Sequence, residues 1–389
     1  MHVVVVDDDE IQRTFISAIL KNLGYSPVEA GDGERALDLV TELDASIVVC
    51  DLNMPGIDGH ELTRRIRARS GDRYVHILMV TGQDQASERR RALESGVDDF
   101  MAKPIDTAIL TVRMRAASRL ARHEEVLAER NRVLEEAREH IERDLLNAAQ
   151  AQRRLLPPSH AATRDCRFHS AFVPSSFVSG DMFGFFEISE RFTGLYAMDV
   201  SGHGVHAALM SVAVGHLVTA DYFRHYAIAA NGCPDPAGLV SVLDQRFYRE
   251  DSTDYFTIFC AVIDRETSIL HYCQAGYPSP LIVARDGSMR EIGDGGFPVA
   301  LIDSATFETG RAPFGLDETL VLYSDGAIEA ENGAGEPFGQ DRLERQIATA
   351  AADAAGIPDA LVTALAEWRA GTPLEDDLTI FACERKTVI

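Results

Sequence analysis

Residues 120–155 restrict what this chain can become more than any other stretch, because they contain no glycine and no proline, the two strongest helix breakers. Apolar side chains return at seven-residue steps there: Leu120, Leu127, Leu134, Ile141, Ala148 and Leu155. A strict seven-residue repeat draws one seam along a helix, and such a seam calls for a partner helix. The companion seam positions are Glu124, Asn131, Arg138 and Leu145. A buried Asn131 weakens such a pair but fixes its register and its two-strand state. The pattern predicts a parallel two-stranded coiled coil between two copies of the chain; the plainer reading is one solvated helix packed on its own chain. Pro157 and Pro158 end it. An acidic, metal-binding pattern lies on each side, so this helix is the covalent route between two candidate sites.

The length of 389 residues suits two or three domains, and 37 Lys and Arg against 61 Asp and Glu give a net charge of −24. Such a surface repels nucleic acid and anionic lipid and accepts divalent cations and basic proteins. A DNA-binding regulator is disfavoured for the same reason, and no helix-turn-helix pattern is present. The six cysteines, Cys50, Cys166, Cys233, Cys260, Cys273 and Cys383, form no CxxC motif and read as reduced thiols of a cytoplasmic protein. Asp7 arrives too early for a signal sequence, and no apolar run nears the ~20 residues a membrane helix needs.

Residues 1–115 alternate apolar runs with helical patterns. Runs at 3–6, 46–50 and 76–80 suit buried parallel strands, and a short fourth ends at Lys103. Alternation of this kind implies a doubly wound α/β sheet, whose functional residues gather at the carboxyl ends of strands. Those ends carry Asp7, Asp8, Asp51, Thr81 and Lys103. Three crowded carboxylates call for a hard cation, with Mg²⁺ the ordinary choice. Beside it an aspartate serves as nucleophile toward a phosphoryl group, and Lys103 neutralises the transferred oxygens. Read singly, each residue is a helix cap or a turn.

The segments VVVVDDDE, VVCDLNMPGIDG, MVTG and DFMAKP closely resemble response-regulator receiver domains. The resemblance implies a five-stranded parallel sheet with Asp51 as phosphoacceptor. It implies Mg²⁺ held by Asp7, Asp8, Asp51 and the backbone carbonyl of Asn53. It also implies phosphoryl binding by Thr81 and Lys103, Phe100 as the switch aromatic, and a sensor histidine kinase or phosphotransfer protein as donor. Asp9 falls outside the acidic pair.

Residues 157–389 read as an α+β β-sandwich. Strands are expected at 168–173, 183–187, 193–200, 255–263, 268–272, 280–284, 319–323 and 378–383. Helices are expected at 206–226, 235–249, 340–352 and 359–369. Four acids stand at strand edges, Asp181, Asp199, Asp325 and Asp376, each near glycine or another small residue. Oxygen-only ligation favours Mg²⁺ or Mn²⁺, and two such ions ~4 Å apart can activate a shared water against phosphorus. Taken alone, Asp325-Gly326 is a turn.

FVSGDMF, AMDVSGHGVHAALM, YFTIFCAVID, CQAGYPSPLIV, LVLYSDGAIEA and EDDLTIFAC resemble the PPM-type metal-dependent serine/threonine protein phosphatases, in their SpoIIE-like and RsbU-like branch. The lead-in AQRRLLPPS is similar too. The resemblance implies that Asp199 bridges two Mn²⁺ or Mg²⁺ ions with help from the Val200 carbonyl. Asp181 then supports one ion, Asp325 and Asp376 hold the other, and Asp377 is the lesser candidate. The same resemblance makes Asp199 and Asp181 the expected catalytic pair. His203 orients water or is structural. Three positions depart from the family pattern: Ser179 where many relatives have glycine, Gly184 where they have aspartate, and Tyr277 where they have histidine. The expected whole is multidomain, with a receiver at 1–115, a coiled-coil helical linker at 116–156 and a phosphatase at 157–389. The two resemblances together imply that phosphorylation of Asp51 controls dephosphorylation of a STAS-domain anti-sigma-factor antagonist, which would free a sigma factor by partner switching. The alternative is a catalytically weak scaffold that sequesters a partner under receiver control.

Overall fold

The computed structural model describes residues 1–71, 73–82 and 94–386. The chain divides into two compact units, Met1–His140 and Ile141–Ile389.

In the first unit, β1 (His2–Val6), β2 (Ser26–Ala30), β3 (Ile47–Asp51), β4 (His76–Thr81) and β5 (Asp99–Ala102) form a parallel sheet in the order β2-β1-β3-β4-β5. Helices α1 (Glu10–Asn22), α2 (Gly33–Glu42) and α3 (Gly59–Ser70) cover it, as expected from the alternation. Val3 and Val5 pack with Ile16 and Leu20 of α1 on one face. Val4 and Val6 pack with Leu37 and Val40 of α2 on the other. Burial on both faces is why the strands read as unbroken apolar runs.

Helix α4 (Thr107–Arg153) is continuous over 47 residues. Asp106 starts it, accepting from the amides of Ala108 at 2.7 Å and Ile109 at 3.1 Å. Leu110, Met114, Ala117 and Ala121 bury one face of its first turns, so packing on the first unit runs beyond residue 115. Further on, the apolar heptad residues are open: Leu127 is 50 % exposed, Leu134 67 % and Ile141 60 %. Among the described residues, no helix is long and apolar enough to cross a membrane.

The second unit stacks two antiparallel sheets. One runs β14-β11-β10-β9-β8, from β8 (Met182–Glu187), β9 (Phe192–Val200), β10 (Phe256–Asp264), β11 (Ile269–Ala275) and β14 (Gly310–Pro313). The other runs β13-β12-β15-β16-β7-β6, from β6 (His160–Ala162), β7 (Cys166–Val173), β12 (Leu281–Ala284), β13 (Met289–Glu291), β15 (Glu318–Tyr323) and β16 (Leu378–Arg385). Their facing side chains, including Phe168, Phe183, Leu195, Phe259, Leu320 and Phe381, make the central core. Alternate residues of the same strands point outward under helices. Tyr196, Met198, Ile258 and Cys260 meet α5 (Val205–Leu217), α6 (Ala220–Tyr226) and α7 (Pro236–Phe247). Val321, Tyr323 and Ile380 meet α8 (Gly326–Glu329), α9 (Gln340–Ala350) and α10 (Ile357–Arg369).

The helix expected at 206–226 is two helices. Val218 and Thr219 leave the helical conformation, and the Thr219 hydroxyl caps α6 by accepting from the Tyr222 amide at 3.3 Å. A β-branched pair whose second residue is a good N-cap favours a restart over continuation.

An ion pair ties the β8–β9 turn to the end of β10. Arg191 grips the buried Asp264 with two hydrogen bonds, 2.9 and 2.7 Å long. Arg191 holds the Asp264 carboxyl at about 2, far below the usual carboxylate range. A depressed acid stabilises the fold above its unfolded pKa of ~3.9 and loses that contribution as pH falls toward its folded value. Asp264→Asn is therefore expected to cost about 1–2 kcal/mol at pH 7, discounted because Arg191 is partly exposed. Its deficit should shrink between pH ~4 and ~2 in urea denaturation.

Candidate functional site

The first centre lies where the parallel sheet reverses direction of winding, between β1 and β3, at the carboxyl ends of strands. Asp7 and Asp8 follow β1, Asp51 closes β3, Thr81 closes β4 and Lys103 follows β5. Oxygens of Asp7, Asp8 and Asp51 all lie within 4.8 Å of one another. Lys103 Nζ stands 2.9 Å from Asp51 and 3.2 Å from Asp7. Burial pushes the Asp51 carboxyl up, while Lys103 pulls it down. Burial works against the charge on Lys103, but Asp51 and Asp7 outweigh it and raise its pKa. Three carboxylates against one ammonium leave a negative pocket that fits a hard divalent cation.

The remaining receiver positions sit around this pocket's strands. Thr81 is buried, Asn53 is exposed on the loop after β3, and Phe100 is half-buried against the sheet core. Asp9 caps α1, accepting from the amides of Ile11 at 2.9 Å and Gln12 at 3.3 Å. Those bonds draw its pKa down, and they give this third acid a structural task.

The second centre lies at one end of the sandwich. Asp181 precedes β8, Asp199 is the next-to-last residue of β9, Asp325 follows β15 and Asp376 precedes β16. Antiparallel pairing of β8 with β9 and of β15 with β16 brings these ends together within each sheet. A hydrogen bond of 2.8 Å from the Gly180 amide to Asp377 then joins the two sheets.

Asp181 is 1 % exposed, and among the described residues neither of its carboxylate oxygens has a hydrogen-bond partner. Burial, then the charge of Asp199, pushes its pKa well up. The hydroxyls of Thr379 and Ser324 temper that push, but Ser324 Oγ donates to the Asp377 carbonyl instead, at 2.9 Å. Burial, followed by Asp325, Asp376 and Asp377, raises the Asp199 carboxyl to about 8. Asp325 is raised by burial and then by Glu329. Asp376 is raised by burial and then by Asp325 and Asp377, with exposed His203 acting the other way.

The backbone also converges here. A side chain at Gly180 would stand 2.9 Å from the Val200 carbonyl and 3.3 Å from Asp199 Oδ1, so both oxygens face the same glycine. Buried carboxylates without protein donors are costly unless a cation satisfies them, and an all-oxygen set suits Mg²⁺ or Mn²⁺. Among the described residues, no three of these four acids gather within 4.8 Å as the receiver triad does.

Asp377 behaves differently from its neighbour. Its buried carboxylate accepts from the Ser175 amide at 2.7 Å, the Ser175 hydroxyl at 2.9 Å and the Gly180 amide at 2.8 Å. Its oxygens are thus engaged by the protein, whereas half-buried Asp376, among the described residues, accepts only from the Asp377 amide, at 2.7 Å. Two of the positions that depart from the family pattern are enclosed by packing. Gly184 lies under the Tyr196 ring, where an added Cβ would come within 2.7 Å of a ring carbon. Tyr277 is buried with an unpartnered hydroxyl, and burial followed by Asp181, Asp199 and Asp325 drives its pKa up. Sequence reasoning had no signal for the Asp377 clamp. Nor did it foresee Gln152, whose amide reaches Ser179 two residues before Asp181.

A parallel sheet with an acidic pocket at its switch point and an antiparallel sandwich with a second acidic centre define a receiver joined to a PP2C-like phosphatase domain. The family model for the response regulator receiver domain matches residues 3–115. That for stage II sporulation protein E (SpoIIE) matches residues 189–386, half of the chain, and the chain belongs to that family. Asp199, Asp325 and Asp376 lie inside the match and Asp181 just before it. The response regulator MprA of Mycolicibacterium vanbaalenii is 40% identical over 119 residues, covering 31% of this chain and 51% of that protein. The DNA-binding response regulator MtrA of Mycolicibacterium smegmatis is 38% identical over 127 residues, covering 33% of this chain and 54% of that protein. The chain thus spans about half the length of these curated relatives. The SiaA-PP2C domain of Pseudomonas aeruginosa shares the sandwich fold at a TM-score of 0.54 and 24% identity, over 64% of this chain and 98% of that one.

Proposed function

We propose that this chain is a two-component response regulator in which phosphorylation of Asp51 controls a metal-dependent serine/threonine protein phosphatase. The observation that carries the reading is Asp181, two buried carboxylate oxygens without a partner beside the crowded Asp199. A fold that needed Asp181 only for packing would do better with an apolar residue there.

In this reading Asp7, Asp8, Asp51 and the Asn53 carbonyl hold Mg²⁺. Lys103 and Thr81 receive the phosphoryl group donated by a histidine kinase or phosphotransfer protein, and Phe100 follows their movement. Asp181, Asp199, the Val200 carbonyl, Asp325 and Asp376 hold two Mn²⁺ or Mg²⁺ ions. When bound, these cations supply Lewis acidity, which activates water and neutralises charge on the phosphoryl oxygens. The protein side chains fix the ions' positions, and Asp377 holds the Gly180 turn against β16. The substrate is a phosphoserine or phosphothreonine on a STAS-type anti-sigma-factor antagonist. This reading divides the chain into a receiver at 1–115, a linker at 116–156 and a phosphatase at 157–389, with Ala117 of the linker still packed on the receiver core. The exposed leucine seam of α4 supports pairing of two copies through that helix.

The full chain, incubated with a phosphorylated STAS protein, should release phosphate with Mn²⁺ and stop when EDTA is added. Partner binding without any metal-dependent release would replace this reading with that of a sequestering scaffold.

A further inference from the structure

We propose that Gln152, on the last turn of α4, is a positioning residue that sets the Asp181 turn for cation binding. The inference rests on the phosphatase reading above and adds to it a residue outside the acidic set.

Gln152 is 4 % exposed although it is a polar residue on a mostly solvated helix. Its Nε2 donates to the Ser179 carbonyl at 2.6 Å and to Ser211 Oγ at 3.2 Å. Its Oε1 accepts from the Ser179 amide at 3.1 Å. One side-chain amide therefore engages both backbone groups of a single residue, as a paired strand would. Ser211, on α5, also donates to the Ser179 carbonyl at 3.2 Å, which closes a small buried network.

Ser179 passes this constraint on. Its Oγ accepts from the Asp181 amide at 3.0 Å, so the turn that aims the Asp181 carboxylate is pinned at its first residue. Asp377 pins the next residue through the Gly180 amide at 2.8 Å. Gly180 in turn abuts Asp199 Oδ1 and the Val200 carbonyl. Asp181 itself receives no hydrogen bond on its carboxylate among the described residues, so its direction depends on how its backbone is held. Two clamps hold that backbone: Asp377 from within the sandwich and Gln152 from the linker helix. The serine that replaces the family glycine at position 179 is part of the second, because its hydroxyl is the acceptor for Asp181.

Partners that orient a metal ligand are worth about 10- to 100-fold in metal affinity. A residue that only fills space does not separate metal affinity from turnover at saturating metal. The test uses the full chain with Mn²⁺ as the probe. Calorimetric titration of metal-free protein gives binding, and para-nitrophenyl phosphate hydrolysis gives the Mn²⁺ concentration for half-maximal rate. Gln152→Leu, which keeps the volume and removes both hydrogen-bonding ends, should weaken Mn²⁺ binding about 10- to 100-fold and raise the half-maximal concentration in step. Turnover at saturating Mn²⁺ should be largely retained. Should the leucine variant not fold, Gln152→Glu serves: it keeps an acceptor for the Ser179 amide but loses the donor to its carbonyl, and the same shift is expected. A folded variant of either kind with wild-type Mn²⁺ affinity and half-maximal concentration would overturn the inference alone. A wild-type chain that neither binds nor uses Mn²⁺ would overturn the phosphatase reading, and the inference with it.

Discussion

Asp199→Asn should lower metal-dependent phosphate release by about a thousandfold, several kcal/mol of lost transition-state stabilisation. The same substitution should leave the metal-free fold at least as stable as the wild type. Burial and the charges of Asp325, Asp376 and Asp377 raise the Asp199 carboxyl to about 8, so the folded protein resists its ionisation. An amide of the same shape removes that penalty. Thermal unfolding with EDTA, run beside a turnover assay with Mn²⁺, reads both effects. Loss of turnover with a raised or equal melting midpoint marks a functional carboxylate. Loss of both would mark a structural one.

Asp51→Ala should abolish phosphoryl loading of the receiver and make the phosphatase indifferent to phosphodonor. Asp51 is where Lys103 approaches to 2.9 Å, at a sheet end it shares with Asp7 and Asp8. No other carboxylate of that pocket lies at the end of β3. Phosphate-affinity electrophoresis after acetyl phosphate treatment should show one shifted species for the wild type and none for the variant. Basal turnover with Mn²⁺ should persist in the variant, because Asp51 lies outside the unit that holds Asp181, Asp199, Asp325 and Asp376.

The central strands of both units were legible in the sequence because burial on two faces writes itself as an apolar run. Strands β1, β3, β4, β9, β10, β15 and β16 all read this way. The strands that escaped, β2, β6, β13 and β14, each lie at a sheet edge. Edge strands carry Pro, Gly and charge, as in SPVEA, MRE and GRAP, and half of their backbone needs no partner. The break at Val218 was hidden for another reason. Apolar spacing continued across it, and only the capping geometry of Thr219 marks the restart.

The acidic residues at strand ends were legible because an ordered set is far less ambiguous than any single Asp-Gly turn. What the spacing did not carry was the support behind them. Gln152 and Asp377 act through side-chain bonds to backbone 27 and 197 residues away, a contact that no local pattern encodes. The seven-residue repeat was legible in the sequence, and its Leu127, Leu134 and Ile141 are exposed along α4 in the single chain.

Release of phosphate from a phosphorylated STAS protein by the full chain, with and without beryllofluoride to load Asp51, bears most directly on the link between the two acidic centres. Coupling free energies between sites of 1–3 kcal/mol correspond to about 5- to 150-fold. The expected result is a change of at least about fivefold on loading, absent in Asp51→Ala. Equal rates with a demonstrably loaded receiver would contradict control of one centre by the other.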